Sequence, residues 1–263
     1  MSGRPSAEDP YARGPACARA AGPPRLPLPA RESAPEADAE ACCVPSGASA
    51  STTVLVIAKE PVPGRVKTRL TPPYRPEDAA RLAEAALADT LETVAGVRVR
   101  RRLLVLAGRP GPWLPDGFEV VPQSGGGLDE RIAAAFALCD GPALLIGMDT
   151  PQITPELLAA AADFGEQDEH AACFGPAADG GFWALGLARP RPGLVLGVPM
   201  SRPDTGACQR RRLVEAGLAV RELPTLRDVD TAADAAEVAA LAPSGRFAAV
   251  HGRLARAAGA VAR

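Results

Sequence analysis

The chain has 263 residues, 47% of them hydrophobic and 23% charged, with a formal net charge of −2. That is enough apolar content for a sizeable core, without the charge excess of a disordered chain or the basic balance of a nucleic-acid binder. No apolar run approaches the roughly 20 residues that cross a bilayer, so a cytoplasmic protein with no membrane or nucleic-acid partner is expected.

Residues 1–50 hold nine prolines and thirteen alanines with no period of 2 or 3.6, the composition of a disordered arm. The domain proper is expected over 51–245, with a helical tail over 246–263. Cys17, Cys42, Cys43, Cys139, Cys173 and Cys208 show neither a C-x-x-C spacing nor a paired His, so no disulfide framework or structural zinc is expected.

Val54-Leu55-Val56-Ile57-Ala58 is a continuous, β-branched apolar run, the pattern of a strand buried on both faces. Directly after it, residues 59–70 concentrate Lys59, Arg65, Lys67 and Arg69 in a loop stiffened by Pro61 and Pro63 and opened by Gly64. Proline limits the loop's conformations, glycine lets backbone approach a ligand, and Lys and Arg donate to oxyanions. Lys59 and Lys67 are the only lysines among 29 basic residues, which suggests that a compact ammonium is wanted here. The loop is neither a Walker A loop nor a G-x-G-x-x-G turn. By itself it reads either as a phosphate-binding loop or as a solvated basic one.

Pro76 opens a helical stripe of Leu82, Ala86, Leu87, Leu91 and Val94, which predicts a helix over 76–94. Strands follow at 101–107 and 119–122, and the turn Gly125-Gly126-Gly127 opens a helix over 128–139. A strand at 143–147 delivers Gly147-Met148-Asp149-Thr150-Pro151. There a carboxylate either meets a hard divalent cation bridging phosphates or caps the next helix, although Thr154 before Pro155 is the better cap. Strands at 171–174 and 182–187 flank Asp179-Gly180-Gly181, which reads as a hairpin turn or as bare backbone for a ligand.

A helix at 204–216 and a strand at 220–223 lead to Arg227-Asp228-Val229-Asp230-Thr231. Thr231 and Asp234 resemble a capping box for a terminal helix. Of Asp228 and Asp230, one is expected to face a cleft while the other pairs locally, and Asp230 is a candidate metal ligand. Strands and helices alternate throughout, which predicts an α/β fold: a mostly parallel sheet with helices on both faces. In such sheets ligands bind beyond the carboxyl ends of the strands, where these loops lie.

The motifs Ala-Lys-x-Pro-x-Pro-Gly-Arg-x-Lys-Thr-Arg-Leu at 58–70, Gly-x-Asp-Thr-Pro at 147–151, Gly-Pro-Ala-x-Asp-Gly-Gly-Phe at 175–182 and Leu-Arg-Asp-Val-Asp-Thr at 226–231 occur in that order. Over about 54–241 the chain thereby resembles a bacterial family of GT-A-like glycosyltransferases, some associated with arsenosugar biosynthesis. That family is similar to guanylyltransferases of molybdenum-cofactor and phospholactate metabolism. The resemblance implies the nucleotide-diphospho-sugar transferase (GT-A, Rossmann-like) fold. It implies that Lys59, Gly64, Arg65, Lys67, Arg69, Gly126 and Gly127 surround a nucleotide, and that Gly180, Gly181 and Phe182 line the substrate side. Asp149 and Asp230 would hold Mg2+ or Mn2+, and Asp149 and Asp179 would be catalytic, Asp179 as the base for an acceptor hydroxyl.

The implied activity is a metal-dependent glycosyltransferase acting on a nucleotide-sugar and a small-molecule acceptor. One alternative is a guanylyltransferase-like nucleotidylyltransferase that takes a nucleoside triphosphate and releases pyrophosphate; another is a nucleotide-binding scaffold without turnover. Two residues depart from the pattern. Many GT-A enzymes carry Asp-x-Asp, whereas here Met148 precedes a single Asp149 followed by Thr150, so Asp230 or Asp179 must contribute or metal dependence is weak. Met200 precedes Ser201 where the family usually has an aromatic residue. Lys67 and Asp149 are expected to be exposed, so that replacing either spares the fold.

Overall fold

The computed structural model describes residues 51–163 and 168–261; the arm predicted over 1–50, with Cys17, Cys42 and Cys43, lies outside them. The strands are β1 (Thr53–Lys59), β2 (Arg101–Ala107), β3 (Glu119–Pro122), β4 (Ala143–Ile146), β5 (Ala171–Pro176), β6 (Phe182–Leu187) and β7 (Ala219–Glu222). The helices are α1 (Pro76–Gly96), α2 (Leu128–Phe136), α3 (Pro155–Ala162), α4 (Thr205–Glu215), α5 (Ala232–Leu241) and α6 (Arg246–Val261). The strands form one sheet in the order β3-β2-β1-β4-β6-β5-β7. Only β6 runs against its neighbours, β4 and β5; the remaining pairs are parallel. The β5–β6 connection is therefore a hairpin, one of the two readings its sequence allowed.

Alternation along β1 sends Val54, Val56 and Ala58 to one face and Leu55 to the other. On the first face they meet Leu87 and Leu91 of α1 and Leu158 of α3. On the second, Ile132 and Phe136 of α2 and Leu213 of α4 complete the layer. A third cluster joins Leu82 and Ala86 of α1 to Leu70, to Val238 of α5 and to Phe247 of α6. Helix α1 is thus buried on two sides, and its apolar stripe serves both the sheet and an outer helical layer.

Local signals set most boundaries. Thr154 Oγ1 accepts from Leu157 N at 3.2 Å, and Thr231 and Asp234 form the predicted capping box. Helix α2 stops at Phe136 rather than 139 because its last turn tightens: Leu138 and Cys139 donate to the carbonyls of Ala135 and Phe136. The start of α6 is capped from outside, with Asp89 of α1 accepting from Arg246 N at 3.0 Å and Phe247 N at 2.8 Å. A Cβ on Gly245 would stand 2.6 Å from Asp89 Oδ2, so glycine lets the cap close. Among the described residues no helix is long and apolar enough to cross a membrane.

Candidate functional site

The loops at the carboxyl ends of β1 and β4, the start of β6 and the segment after β7 enclose a cavity of about 750 Å³. The basic loop enters it through two left-handed residues, Gly64 at φ 74° and Lys67 at φ 49°, and is anchored by Leu70 in the outer cluster. This turn sends the Lys67 side chain inward, where only 7% of it is exposed. Its Nζ lies 2.8 Å from Asp149 Oδ1 and 3.4 Å from Asp230 Oδ1, and Arg69 Nη1 lies 3.1 Å from Asp230 Oδ2. The two acidic segments are tied by backbone, Val229 N donating to the Asp149 carbonyl at 3.0 Å. The Lys67–Asp149 contact is the shorter of the two, and the ammonium is the charge partner of the buried Oδ1.

The electrostatics follow from that enclosure. Burial works against the Lys67 charge, but Asp149, Asp230 and Asp228 outweigh it and hold the ammonium above the ordinary lysine pKa. Asp228 shows the opposite balance: burial, then the charges of Asp149 and Asp179, push its carboxyl up to about 7 against the pull of Lys67. Asp228 and Asp230 both line the cavity, and the residues that pair with Arg227 are Asp234, at 3.0 Å, and Glu237, at 2.8 Å. The expectation that Lys67 is an exposed residue is corrected here, since the sequence does not show that two distant carboxylates close over it.

Of the residues singled out from sequence, Lys59, Arg65, Lys67, Arg69, Asp149, Asp179, Gly181, Phe182 and Asp230 line the cavity. Gly64, Gly126, Gly127 and Gly180 are not among its lining residues. Gly127 starts α2, and its N–H is taken by Glu130 Oε2 at 2.6 Å. Gly180, at φ 89°, packs on the start of α4: a Cβ there would stand 1.9 Å from the Pro203 carbonyl oxygen, and Gly206 N donates to the Gly180 carbonyl at 2.8 Å. Asp179 Oδ1 accepts from Gly181 N at 2.8 Å.

Sequence reasoning missed Gln123 and Arg202 as lining residues; Arg131, in the segment that the resemblance sets near a nucleotide, lines the cavity too. Gln123 Nε2 donates to the Ala58 carbonyl at 2.6 Å, a contact between β1 and the end of β3 that no local pattern announces.

Among the described residues no group of three His, Cys, Asp or Glu side chains is placed to hold a metal ion. Asp149 and Asp230 nevertheless aim at one cation, Lys67 Nζ. Magnesium is commonly bound by one or two carboxylates together with phosphate oxygens and water. The pair matches the carboxylate part of such a donor set.

Residues 81–202 match the model of DUF2064, a family described as an uncharacterized protein conserved in bacteria. No curated protein matches the chain. Among solved structures, one from Desulfovibrio desulfuricans G20, described as a nucleotide-diphospho-sugar transferase, is 27% identical with a TM-score of 0.61, covering 68% of this chain and 82% of that one. A manganese complex of Rv0371c from Mycobacterium tuberculosis H37Rv is 23% identical with a TM-score of 0.43, covering 73% and 98%. The 2-C-methyl-D-erythritol 4-phosphate cytidylyltransferase of Thermus thermophilus is 15% identical with a TM-score of 0.46, again covering 73% and 98%. The seven-stranded, mostly parallel sheet flanked by helices is the nucleotide-diphospho-sugar transferase fold.

Proposed function

We propose that the protein is a nucleotide-utilising transferase of the cytoplasm, and more narrowly a glycosyltransferase that moves a sugar from a nucleotide-sugar to a small acceptor hydroxyl. The observation that carries this is the convergence of Lys67, Asp149 and Asp230 beside Arg65 and Lys59 in one cavity at the carboxyl ends of the strands. The likeness to the Desulfovibrio protein, described as a nucleotide-diphospho-sugar transferase, supports it.

In this reading Lys59, Arg65, Lys67 and Arg69 bind the diphosphate, Arg by fork and Lys by point charge. Asp149 and Asp230 would hold Mg2+ or Mn2+. Such an ion offsets the charge that develops on the leaving diphosphate. Phe182 and Gly181 form the floor for the sugar. Asp179 orients the acceptor hydroxyl and takes its proton: Oδ1 is engaged by the Gly181 N–H, which leaves Oδ2 for the transfer.

The test is a melting-temperature panel of nucleoside diphosphates, triphosphates and nucleotide-sugars, each with and without Mn2+, followed by product analysis of whatever binds. A nucleotide-sugar or its diphosphate should raise the melting temperature, with free diphosphate released on turnover. Consumption of a triphosphate with release of pyrophosphate would make the protein a nucleotidylyltransferase instead. Binding without product would leave a scaffold.

A further inference from the structure

We propose that Lys67 is the site's resident cation: it closes Asp149 and Asp230 to a divalent metal until a nucleotide's phosphates draw the ammonium away, so that nucleotide binds before metal. The proposal rests on the nucleotide site argued above. Its geometry is independent of any particular nucleotide.

Nζ lies within 2.8 Å and 3.4 Å of the Oδ1 atoms of both carboxylates, so the ammonium fills the space where an ion bridging them would sit. A divalent cation entering beside it would meet a like charge at contact distance, screened only in part because Asp149 and Asp230 are mostly covered. The seat is well made. Only 7% of the lysine side chain is exposed, and the left-handed backbone at Lys67 aims it inward.

The seat can also be vacated. Asp149 and Asp230 keep 37% and 30% of their side chains exposed, so an incoming anion can reach the ammonium that they hold. A lysine has a flexible four-carbon stem and can swing its ammonium without moving the backbone, which a guanidinium fork suits less well. The place for it to go is the same cavity, where Lys59 and Arg65 also line the wall and a diphosphate would bring negative charge. Phosphates that recruit Lys67 leave Asp149 without its cation and Asp230 with Arg69 alone, on Oδ2, so the two Oδ1 atoms lose the ammonium they share and a metal would restore the balance. By linkage, whatever factor the nucleotide adds to metal affinity, the metal adds to nucleotide affinity.

The first test uses Mn2+ alone with the full chain, reading free Mn2+ by electron paramagnetic resonance. Lys67→Met, with an apolar side chain of similar length, should bind Mn2+ at least ten-fold more tightly than the wild type, and Lys67→Arg should not. Adding Asp230→Asn to Lys67→Met should remove the gain. Equal Mn2+ affinity in the wild type and Lys67→Met would overturn the proposal. If Lys67→Met is poorly folded without metal, its melting temperature should rise with Mn2+ far more than that of the wild type; an equal rise would again overturn it.

The order of binding is read by calorimetry with GDP, UDP, CDP and ADP in EDTA. At least one should bind the metal-free wild type and bind Lys67→Met at least ten-fold more weakly. A diphosphate that binds only with metal present would refute the order. If none binds under any condition, the nucleotide reading of the site fails, while the Mn2+ comparison still decides the role of Lys67.

Discussion

A lysine buried between carboxylates behaves differently under substitution from one waving in solvent. Lys67→Ala should abolish transfer, and it should also lower stability by about 1–3 kcal/mol. That is less than the 3–5 kcal/mol of a fully buried broken pair, because Asp149 and Asp230 keep 37% and 30% of their side chains exposed. Urea unfolding of the wild type and variant measures this; an unchanged midpoint would return Lys67 to the exposed role that its sequence context suggested. The distinction was half legible beforehand. A pair of lysines in an arginine-rich chain marked the loop, but the burial of one of them depends on Asp230, 163 residues further on, and no local pattern encodes that contact. Asp228, by contrast, was legible: residues two apart on an extended segment share a face, so alternation about the buried Val229 turns Asp228 and Asp230 to the same side, and both line the cavity.

Where elements meet, two glycines and one aspartate control the geometry. Replacing a helical glycine by alanine ordinarily stabilises by roughly 0.5–1 kcal/mol. Gly206→Ala in the first turn of α4 should instead cost about 1–3 kcal/mol, as overpacking does, because a Cβ there would stand 2.4 Å from the Gly181 carbonyl oxygen. Denaturant unfolding decides the sign, and a gain in stability would mean the hairpin loop yields easily.

Asp89 makes a second element-scale prediction. Burial lifts its carboxyl above the ordinary carboxylate range, against the pull of the Phe247 and Arg246 N–H groups. The unfolded chain therefore ionises Asp89 at lower pH than the native protein does. The native state binds more protons in between, and this residue's stabilising share is lost as pH rises through the native pKa. Asp89→Asn should lack that slope. Melting temperatures of the two proteins from about pH 4 to 6 should accordingly diverge with pH, and parallel curves would show that Asp89 titrates normally. Such contacts escape a reading of sequence because Asp89 and Gly245 belong to elements far apart in the chain. Thr154, Pro155, Thr231 and Asp234 did not escape, since a cap is settled within three or four residues.

At the scale of the molecule, the alternation of apolar strands and amphipathic helices made the α/β class and the faces of β1 legible. The reversal at β6 was foreshadowed only by the glycines between β5 and β6, and the placement of β4 beside β6 depends on a crossover that leaves no local mark. The same topology explains why the cavity has walls of different character. Basic residues come from the loop after β1, with Arg131 of α2 and Arg202 ahead of α4; carboxylates come from the end of β4, the β5–β6 turn and the segment after β7; and the uncharged floor is the start of the antiparallel strand.

The bond from Val229 N to the Asp149 carbonyl carries a consequence for how the protein comes into being. During synthesis the basic loop emerges early, and the carboxylates that neutralise it arrive one after the other, Asp230 last of all. Until the segment after β7 has been made and has docked on β4, a nascent chain carries an open cationic loop with half of its counter-charge missing. A chain cut short before residue 230 therefore carries most of its sheet but lacks one of the two carboxylates that close over Lys67.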